Sequence, residues 1–159
     1  MSLKIEEVLA YLNNYFVYAY APSIFIDCDA GASTISLADT NYIWDDYALD
    51  PTINQYIRIE GSRLNDGVFK VTAKDTTSVT VDATLIDEES DEDLDYVNIY
   101  ELAIPQNLLS IITEMQGWSG TANITSEKLG PHSITYDKAV TVFNQFESRI
   151  KRWKKVGWR

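Results

Sequence analysis

The chain has 159 residues and a mass of 18.0 kDa, and 45% of its residues are hydrophobic and 23% charged. It is therefore long enough for one compact domain or two small lobes, and too apolar for wholesale disorder. A single cysteine and a single histidine exclude a disulfide framework and argue against a thiolate-rich or histidine-rich metal site. No apolar run approaches the roughly 18 residues of a membrane span, so we expect no membrane partner, and the N-terminus lacks the pattern of a signal peptide.

The formal net charge of −11 is unevenly distributed. Residues 1–127 hold 5 Lys+Arg against 22 Asp+Glu, whereas residues 128–159 hold 8 against 2. An acidic body repels phosphate groups, so we expect no sequence-specific binding of nucleic acid. The split indicates two surfaces that face two different partners, although acidity alone is also typical of a chain that is merely soluble.

The first predicted element is a helix. Apolar residues recur at the helical period from Ile5 to Leu12. We expect the aromatic run from Tyr15 to Tyr20 to continue or close this helix, because Pro22 ends any helix that precedes it.

From Ser23 onward the apolar pattern changes to a period of two. Alternation of this kind predicts short, half-buried strands. The turn Gly61–Gly67 predicts a bulged hairpin loop, in which Asn65, Asp66 and Gly67 tolerate positive φ. The predicted strands are Ile24–Ile26, Ile35–Leu37, Tyr56–Glu60, Gly67–Ala73, Ser78–Asp82 and Tyr96–Leu102.

Helical periodicity returns after Pro105. Leu108–Met115 carries a wide apolar face, and Gly117 and Gly120 end this helix. A last helix is predicted from about Asp137 to about Trp153. Its apolar residues form a heptad-like seam suited to packing on another helix, at Ala139, Phe143, Phe146, Ile150 and Trp153.

Together these elements predict an α+β fold. Residues 1–22 and 103–159 are expected to form a small helical domain, because no single helix can bury its apolar face alone. Residues 23–102 are expected to form an inserted lobe, an antiparallel β-barrel or sandwich.

Three segments allow a chemical interpretation beside a plain one. Asp87–Asp95 has seven carboxylates in nine residues. This composition fits either a cation-binding loop or a solvated acidic loop. The segment lacks the central glycine and the final glutamate of an EF-hand calcium loop. Ser126, His132 and Asp137 have the residue types of a catalytic triad without its motifs. Trp44 with Tyr42 and Tyr47 fits either a ligand-binding aromatic face or an aromatic cover over one end of the lobe.

The basic C-terminal segment mixes cations with tryptophans. Such a mixture fits nucleic-acid binding through phosphates and stacking, a protein-docking segment, or cations that complement a helix dipole. Docking is favoured, because a helix dipole accounts for the cations but not for two tryptophans, Trp153 and Trp158, near the C-terminus.

The segment Ile124–Gly130, followed by Ser133–Tyr136, resembles a motif of bacteriophage head–tail connector proteins, the adaptor subunits of long-tailed phages and prophages. The resemblance covers about the last 55 residues. A weaker resemblance links Ile59–Ser62 and Asn65–Val71 to small β-barrel modules of virion proteins. Simple members of the connector family are largely helical, so the β-lobe is a departure from the family pattern.

This resemblance implies a structural role in the virion. The chain would form a ring, a dodecamer in the family, beneath the portal protein and bind the next neck or tail-completion protein on its other side. The resemblance implies portal docking by the C-terminal segment, at Arg152, Trp153, Lys154, Lys155, Trp158 and Arg159. It implies a loop between subunits or near the channel at Ser126, Glu127, Lys128, Leu129 and Gly130.

We therefore predict a phage adaptor that is no enzyme, has no catalytic, metal or cofactor-binding residues and needs no cofactor. It would reside at the head–tail interface of the virion, and in the bacterial cytoplasm before assembly. The alternative is a β-lobe that binds a carbohydrate or another ligand and is attached to a phage structural assembly.

Overall fold

The computed structural model of the chain describes residues 3–89, 96–118 and 137–155, with the backbone alone at 137–141. It divides into two compact units. Residues 1–15 and 104–159 form the helical unit, and residues 16–103 form the β unit. The helical unit is thus built from both ends of the chain, and the β unit lies between them in sequence.

The helical unit contains three described helices: α1 (Ile5–Leu12), α2 (Gln106–Gly117) and α3 (Asp137–Ile150). A single 3-10 turn, Lys151–Trp153, follows α3 directly. Each helix buries one apolar stripe, as its period predicts. The buried residues are Val8, Leu9 and Leu12 of α1, Leu108, Ile112 and Met115 of α2, and Val142, Phe146 and Ile150 of α3.

Helix α1 ends at Leu12, so the prediction that the aromatic run continues or closes this helix is wrong. Asn13 takes the left-handed conformation, with φ of 51°, and stops the helix. Tyr18 and Tyr20 of the aromatic run belong instead to strand β1 (Val17–Asp29), and Tyr15 and Phe16 precede that strand. Pro22 fits inside this strand because the pairing of β1 shifts register between Ala21 and Ile24, where a bulge frees the ladder position that proline cannot fill.

The β unit contains six strands joined only by antiparallel pairing, which confirms the predicted α+β class. After β1 come β2 (Thr34–Leu37), β3 (Tyr56–Glu60), β4 (Gly67–Lys74), β5 (Ser78–Val81) and β6 (Tyr96–Leu102). A short 3-10 helix, Trp44–Tyr47, lies between β2 and β3.

The strand pairings run in the order β1-β2-β5-β4-β3-β6, and β6 pairs again with β1. This ring of pairings is uneven. Strand β1 pairs with β6 from Val17 to Phe25, whereas β2 pairs with β5 through Thr34, Ile35 and Ser36 alone.

Alternate residues of the strands point into one apolar core. Its members, all from the β unit, include Ile24 and Ile26 of β1, Ile57 and Ile59 of β3, and Val97 and Ile99 of β6, each no more than 2% exposed. The period of two that predicted the strands is the same period that places these side chains inside.

The β3–β4 hairpin turns in a different way from the prediction. The left-handed residue is Gly61, with φ of +95°, which a side chain would strain. Asn65 has a structural role instead: its side chain is 5% exposed and exchanges two hydrogen bonds of 2.8 Å with the backbone of Ile86.

Candidate functional site

The C-terminal end of the helical unit carries a dense group of cations. The chain leaves α3 at the fully buried Ile150 and makes one 3-10 turn before it extends. We define the basic turn as Lys151, Arg152, Lys154 and Lys155, all four of which are exposed. Four exposed cations within five residues are unusual in a chain whose carboxylates outnumber its basic groups, 24 to 13.

Backbone hydrogen bonds hold the basic turn on α1. The Lys155 N–H donates to the carbonyl of Leu12 at 2.8 Å, which satisfies one of the last carbonyls of that helix. The Asn14 amide donates to the carbonyl of Trp153 at 3.0 Å. Residues 152–155, four of the predicted docking residues, are therefore part of the folded helical unit, while Trp158 and Arg159 lie outside the described residues.

Aromatic rings support two of the four cations. The Arg152 guanidinium lies 4.1 Å from the Trp153 ring centroid, and the Lys154 ammonium lies 4.7 Å from that of Tyr11. Tyr11 in turn stacks on Phe143, with centroids 4.4 Å apart. In the described parts of the chain, no carboxylate forms a salt bridge with any residue of the basic turn.

The β unit carries an acidic groove with a volume of about 800 Å³. Strands β1 and β2 form one side of the groove, and residues 87–89 form the other. Its lining includes five carboxylate side chains, those of Asp27, Asp29, Asp87, Glu88 and Glu89. The acidic groove therefore gathers the first three acidic residues of the predicted loop 87–95 beside two from β1, and residues 90–95 lie outside the described part.

Glu88 is an internal anchor of the β unit, although the sequence placed it in a solvated loop. Its carboxylate is buried and accepts hydrogen bonds from the Ser62 hydroxyl at 2.6 Å and the Asn65 amide at 2.8 Å. Burial raises the pKa of this carboxyl. The hydrogen bonds, which include those from the backbone of Arg63 and Leu64, lower it more, so the pKa of Glu88 lies below its ordinary value.

Cys28 lies beside this anchor and exchanges two backbone hydrogen bonds with Glu88, of 2.8 and 2.9 Å. Burial, followed by the nearby carboxylates of Glu88 and Asp27, raises the pKa of the Cys28 thiol to about 12. A thiol in this state is protonated at neutral pH and is a poor nucleophile and metal ligand. Within the described residues, no group of three or more His, Cys, Asp or Glu side chains is arranged to hold a metal ion.

The aromatic segment after β2 splits between core and surface. Trp44 is only 3% exposed and belongs to the apolar core, and its backbone N–H donates to Thr76 at 3.0 Å. Tyr47 is half-buried against that core, and Tyr42 lies on the surface with its ring 5.9 Å from that of Tyr47. The tryptophan is therefore not available as an open stacking platform.

A row of two tyrosines and an arginine on the β unit was not predicted from the sequence. Tyr20 of β1, Tyr100 of β6 and Arg58 of β3 are directly paired neighbours on three strands. The two rings stack at 4.8 Å, and the guanidinium lies 5.4 Å from the Tyr100 centroid. The period of two does place each residue on an outward face, but only the strand order brings the three together.

The predicted loop between subunits, Ser126 to Gly130, and the residues Ser126 and His132 lie outside the described residues, as does the whole of the connector-like motif. In the described ranges the longest helix, α3, has 14 residues, and none combines the length and apolarity needed to cross a membrane. Comparison with protein-family models gives no match, and comparison with curated proteins gives none either.

Proposed function

We propose that the protein is an adaptor subunit of a bacteriophage or prophage head–tail connector, a structural protein of the virion that is not an enzyme and uses no cofactor. Subunits would form a ring, dodecameric as in the family it resembles, between the portal protein and the next neck protein. The observation that best supports this proposal is the separation of charge between the two units. The β unit has a net charge of −14 and the helical unit of +3.

This separation suits a ring through which DNA passes. A net negative charge repels the phosphates of a duplex, which favours sliding over binding. A patch of cations on the other unit is available for a protein partner. We accordingly propose that the β unit contributes to the collar and that the loop Ser126–Gly130 lies between subunits or near the channel.

We also propose that the β unit is a small closed barrel. The ring of antiparallel pairings, which begins and ends at β1, supports this over a two-sheet sandwich, whose sheets would each keep free edges. A closed lobe of this kind keeps its shape when it is inserted between two helices of another unit.

Portal docking is assigned to the C-terminal segment Arg152–Arg159. Because residues 153–155 contribute hydrogen bonds to the folded unit, removal of everything after Ile150 would disturb the fold as well as the docking. Truncation after Lys155 separates the two effects. We expect this variant to keep the unfolding midpoint of the full chain and to lose retention by immobilised portal protein.

A matched control replaces Trp118 by alanine, which removes a tryptophan of the same unit outside the C-terminal segment and should leave portal retention unchanged. Full retention of the variant truncated after Lys155 would overturn the assignment of docking to Trp158 and Arg159. No retention of the intact chain by any portal ring, together with the absence of rings in electron micrographs of the mixture, would overturn the adaptor function itself.

A second candidate function, carbohydrate binding by the β unit, is favoured by one observation. Tyr20 is 50% exposed on an outward face beside Tyr100 and Arg58, and exposed aromatic rings next to planar polar groups suit contact with a sugar. Binding of soluble cell-wall oligosaccharides by the intact chain, lost on Tyr20→Ala, would support this candidate. Retained binding in that variant would exclude the tyrosine row.

A further inference from the structure

The four exposed cations of the basic turn form no salt bridge with a carboxylate in the described parts of the subunit. Arg149 of α3 makes a double hydrogen bond with Glu114 of α2, at 2.7 and 3.0 Å. Within the described residues the basic turn that follows forms no such pair, and aromatic rings lie beside Arg152 and Lys154. A helix C-terminus favours nearby cations. Lys154 and Lys155 lie beyond the last turn of α3, and the backbone of Lys155 bonds the C-terminal end of α1.

We propose, on the basis of the ring proposed above, that the basic turn docks on the acidic β unit of a second copy of the chain. Charge complementarity identifies the partner, because the β unit of another subunit carries a net charge of −14. In the proposed ring, such a subunit is always present. Duplex DNA is the less suitable anion, because the whole chain carries −11 and repels phosphates.

The arrangement of the charges also fits the geometry of a ring. In a two-fold dimer residue i contacts residue j and residue j contacts i, so the two opposite patches would meet twice across one interface and association would stop at two subunits. A head-to-tail contact joins two different patches and closes into a ring when the rotation allows. Opposite charges on two separate units of one chain supply such a pair of patches.

On the receiving copy, the basic turn meets the surface around the acidic groove. The exposed carboxylate of Glu89 and the half-buried one of Asp27 lie at its border. Asp29 and Asp87 accept hydrogen bonds from the backbone N–H groups of Gly31 and Ala30, at 2.8 and 2.7 Å, so both carboxylates also shape the turn after β1. This contact would take Arg152, Lys154 and Lys155 out of the portal-docking set proposed above and would leave portal docking to Trp158 and Arg159.

Charge reversal tests this contact. Lys151→Glu with Lys155→Glu reverses two cations whose side chains form no salt bridge or cation–π contact with the described residues, and Asp27→Lys with Glu89→Lys reverses the other side. The four-fold variant regains the net charge of the natural chain. Glu6→Lys with Asp45→Lys is the matched control, because it changes the net charge as much as the acidic-side pair, at exposed or half-buried residues that do not line the groove.

The readout is molar mass by light scattering over a concentration series, at low salt and at roughly 0.5 M salt, where the Debye length falls to a few ångströms. We expect the natural chain and the Glu6→Lys/Asp45→Lys control to associate at low salt and to dissociate at high salt. Each one-sided reversal should weaken association about tenfold or more, and the four-fold variant should restore it. Circular dichroism verifies that every variant is folded.

Unchanged association of the Lys151→Glu/Lys155→Glu variant would overturn the proposed contact, and so would a natural chain that stays at 18.0 kDa at every concentration in low salt. Binding of a duplex DNA oligomer that is lost in the same variant, without self-association, would overturn the choice of partner. Retention by portal protein is measured separately, so failure of the subunit contact is distinguishable from failure of the adaptor function.

Discussion

Glu88 connects three separate segments of the β unit through one carboxylate. Its side chain accepts from Ser62 and Asn65 of the β3–β4 loop, and its backbone pairs with Cys28 at the end of β1. Removal of one partner from a buried hydrogen-bonded group leaves the other groups unsatisfied, which lowers the free energy of unfolding by about 1–3 kcal/mol. A single residue thus fixes the end of the β unit beside the acidic groove.

We predict that Glu88→Gln lowers the free energy of unfolding at pH 7 by about 1–2 kcal/mol, because the amide NH₂ would face the backbone N–H groups of Arg63 and Leu64. The pKa of Glu88 is lowered by folding from its ordinary 4.5. Its charge therefore stabilises the fold fully above that ordinary value, and this contribution is lost as the pH falls through the lower, folded pKa. Urea titrations between pH 3 and pH 7 measure both effects.

The difference between Glu88→Gln and the natural chain should accordingly shrink on acidification below about pH 4.5. Glu89→Gln is the control, since the neighbouring side chain is exposed and should leave stability nearly unchanged at every pH. A pH-independent difference for Glu88→Gln would show that the carboxylate is not ionised in the folded protein.

At the scale of elements, α2 and α3 are joined by two kinds of contact. Arg149 and Glu114 form the exposed ion pair described above, in which their hydrogen bond raises the pKa of the guanidinium and lowers that of the carboxyl. The two helices also bury apolar side chains, among them Leu108 and Ile112 of α2 and Ile150 of α3. Water and salt screen an exposed pair, whereas apolar burial is largely independent of salt.

We predict that Ile150→Ala lowers the free energy of unfolding by about 2–5 kcal/mol, because it leaves a cavity at a fully buried position. Arg149→Met should shift the unfolding midpoint little, and the small shift should disappear in high salt. Thermal unfolding followed by circular dichroism at two salt concentrations distinguishes the two effects. A larger loss for Arg149→Met than for Ile150→Ala would mean that the ion pair holds these helices together.

For the whole molecule, the division into two units predicts independent folding of the β unit. Every residue of its apolar core lies within residues 16–103, and no strand of the described structure comes from elsewhere. The fragment 16–103 should therefore unfold cooperatively and keep the Cys28 thiol protected from thiol reagents, as burial in the intact chain implies.

Ile99→Ala in the fragment should cost about 2–5 kcal/mol, since this side chain is buried at the centre of β6. Asn98→Ala is the matched change on the outward face of the same strand and should cost less. A fragment without cooperative unfolding would show that the β unit depends on the helical unit for its stability.

The sequence determined which parts of the chain are helix and which are strand. Strands β3 and β6 lie where their alternation placed them, at Tyr56–Glu60 and Tyr96–Leu102. The apolar stripe predicted for α2 includes its buried residues, whereas the seam predicted for α3 includes Phe146 and Ile150 but misses the buried Val142. These features follow from spacing along the chain, which the period of a helix or strand converts directly into a buried face. The failure at Tyr15–Tyr20 has the same origin, because aromatic runs fit either period.

The tertiary structure alone decided which of these faces and polar groups meet. The sequence offered no way to bury Glu88 inside an acidic run, to place Trp44 in the core, or to seat Lys155 on the end of α1. Each of these residues has a hydrogen-bond partner that is remote in sequence. Glu88 bonds Ser62 and Asn65, Trp44 bonds Thr76, and Lys155 bonds Leu12. Such contacts are fixed by strand order and chain reversal, which bring together residues whose spacing in the sequence carries no periodic signal.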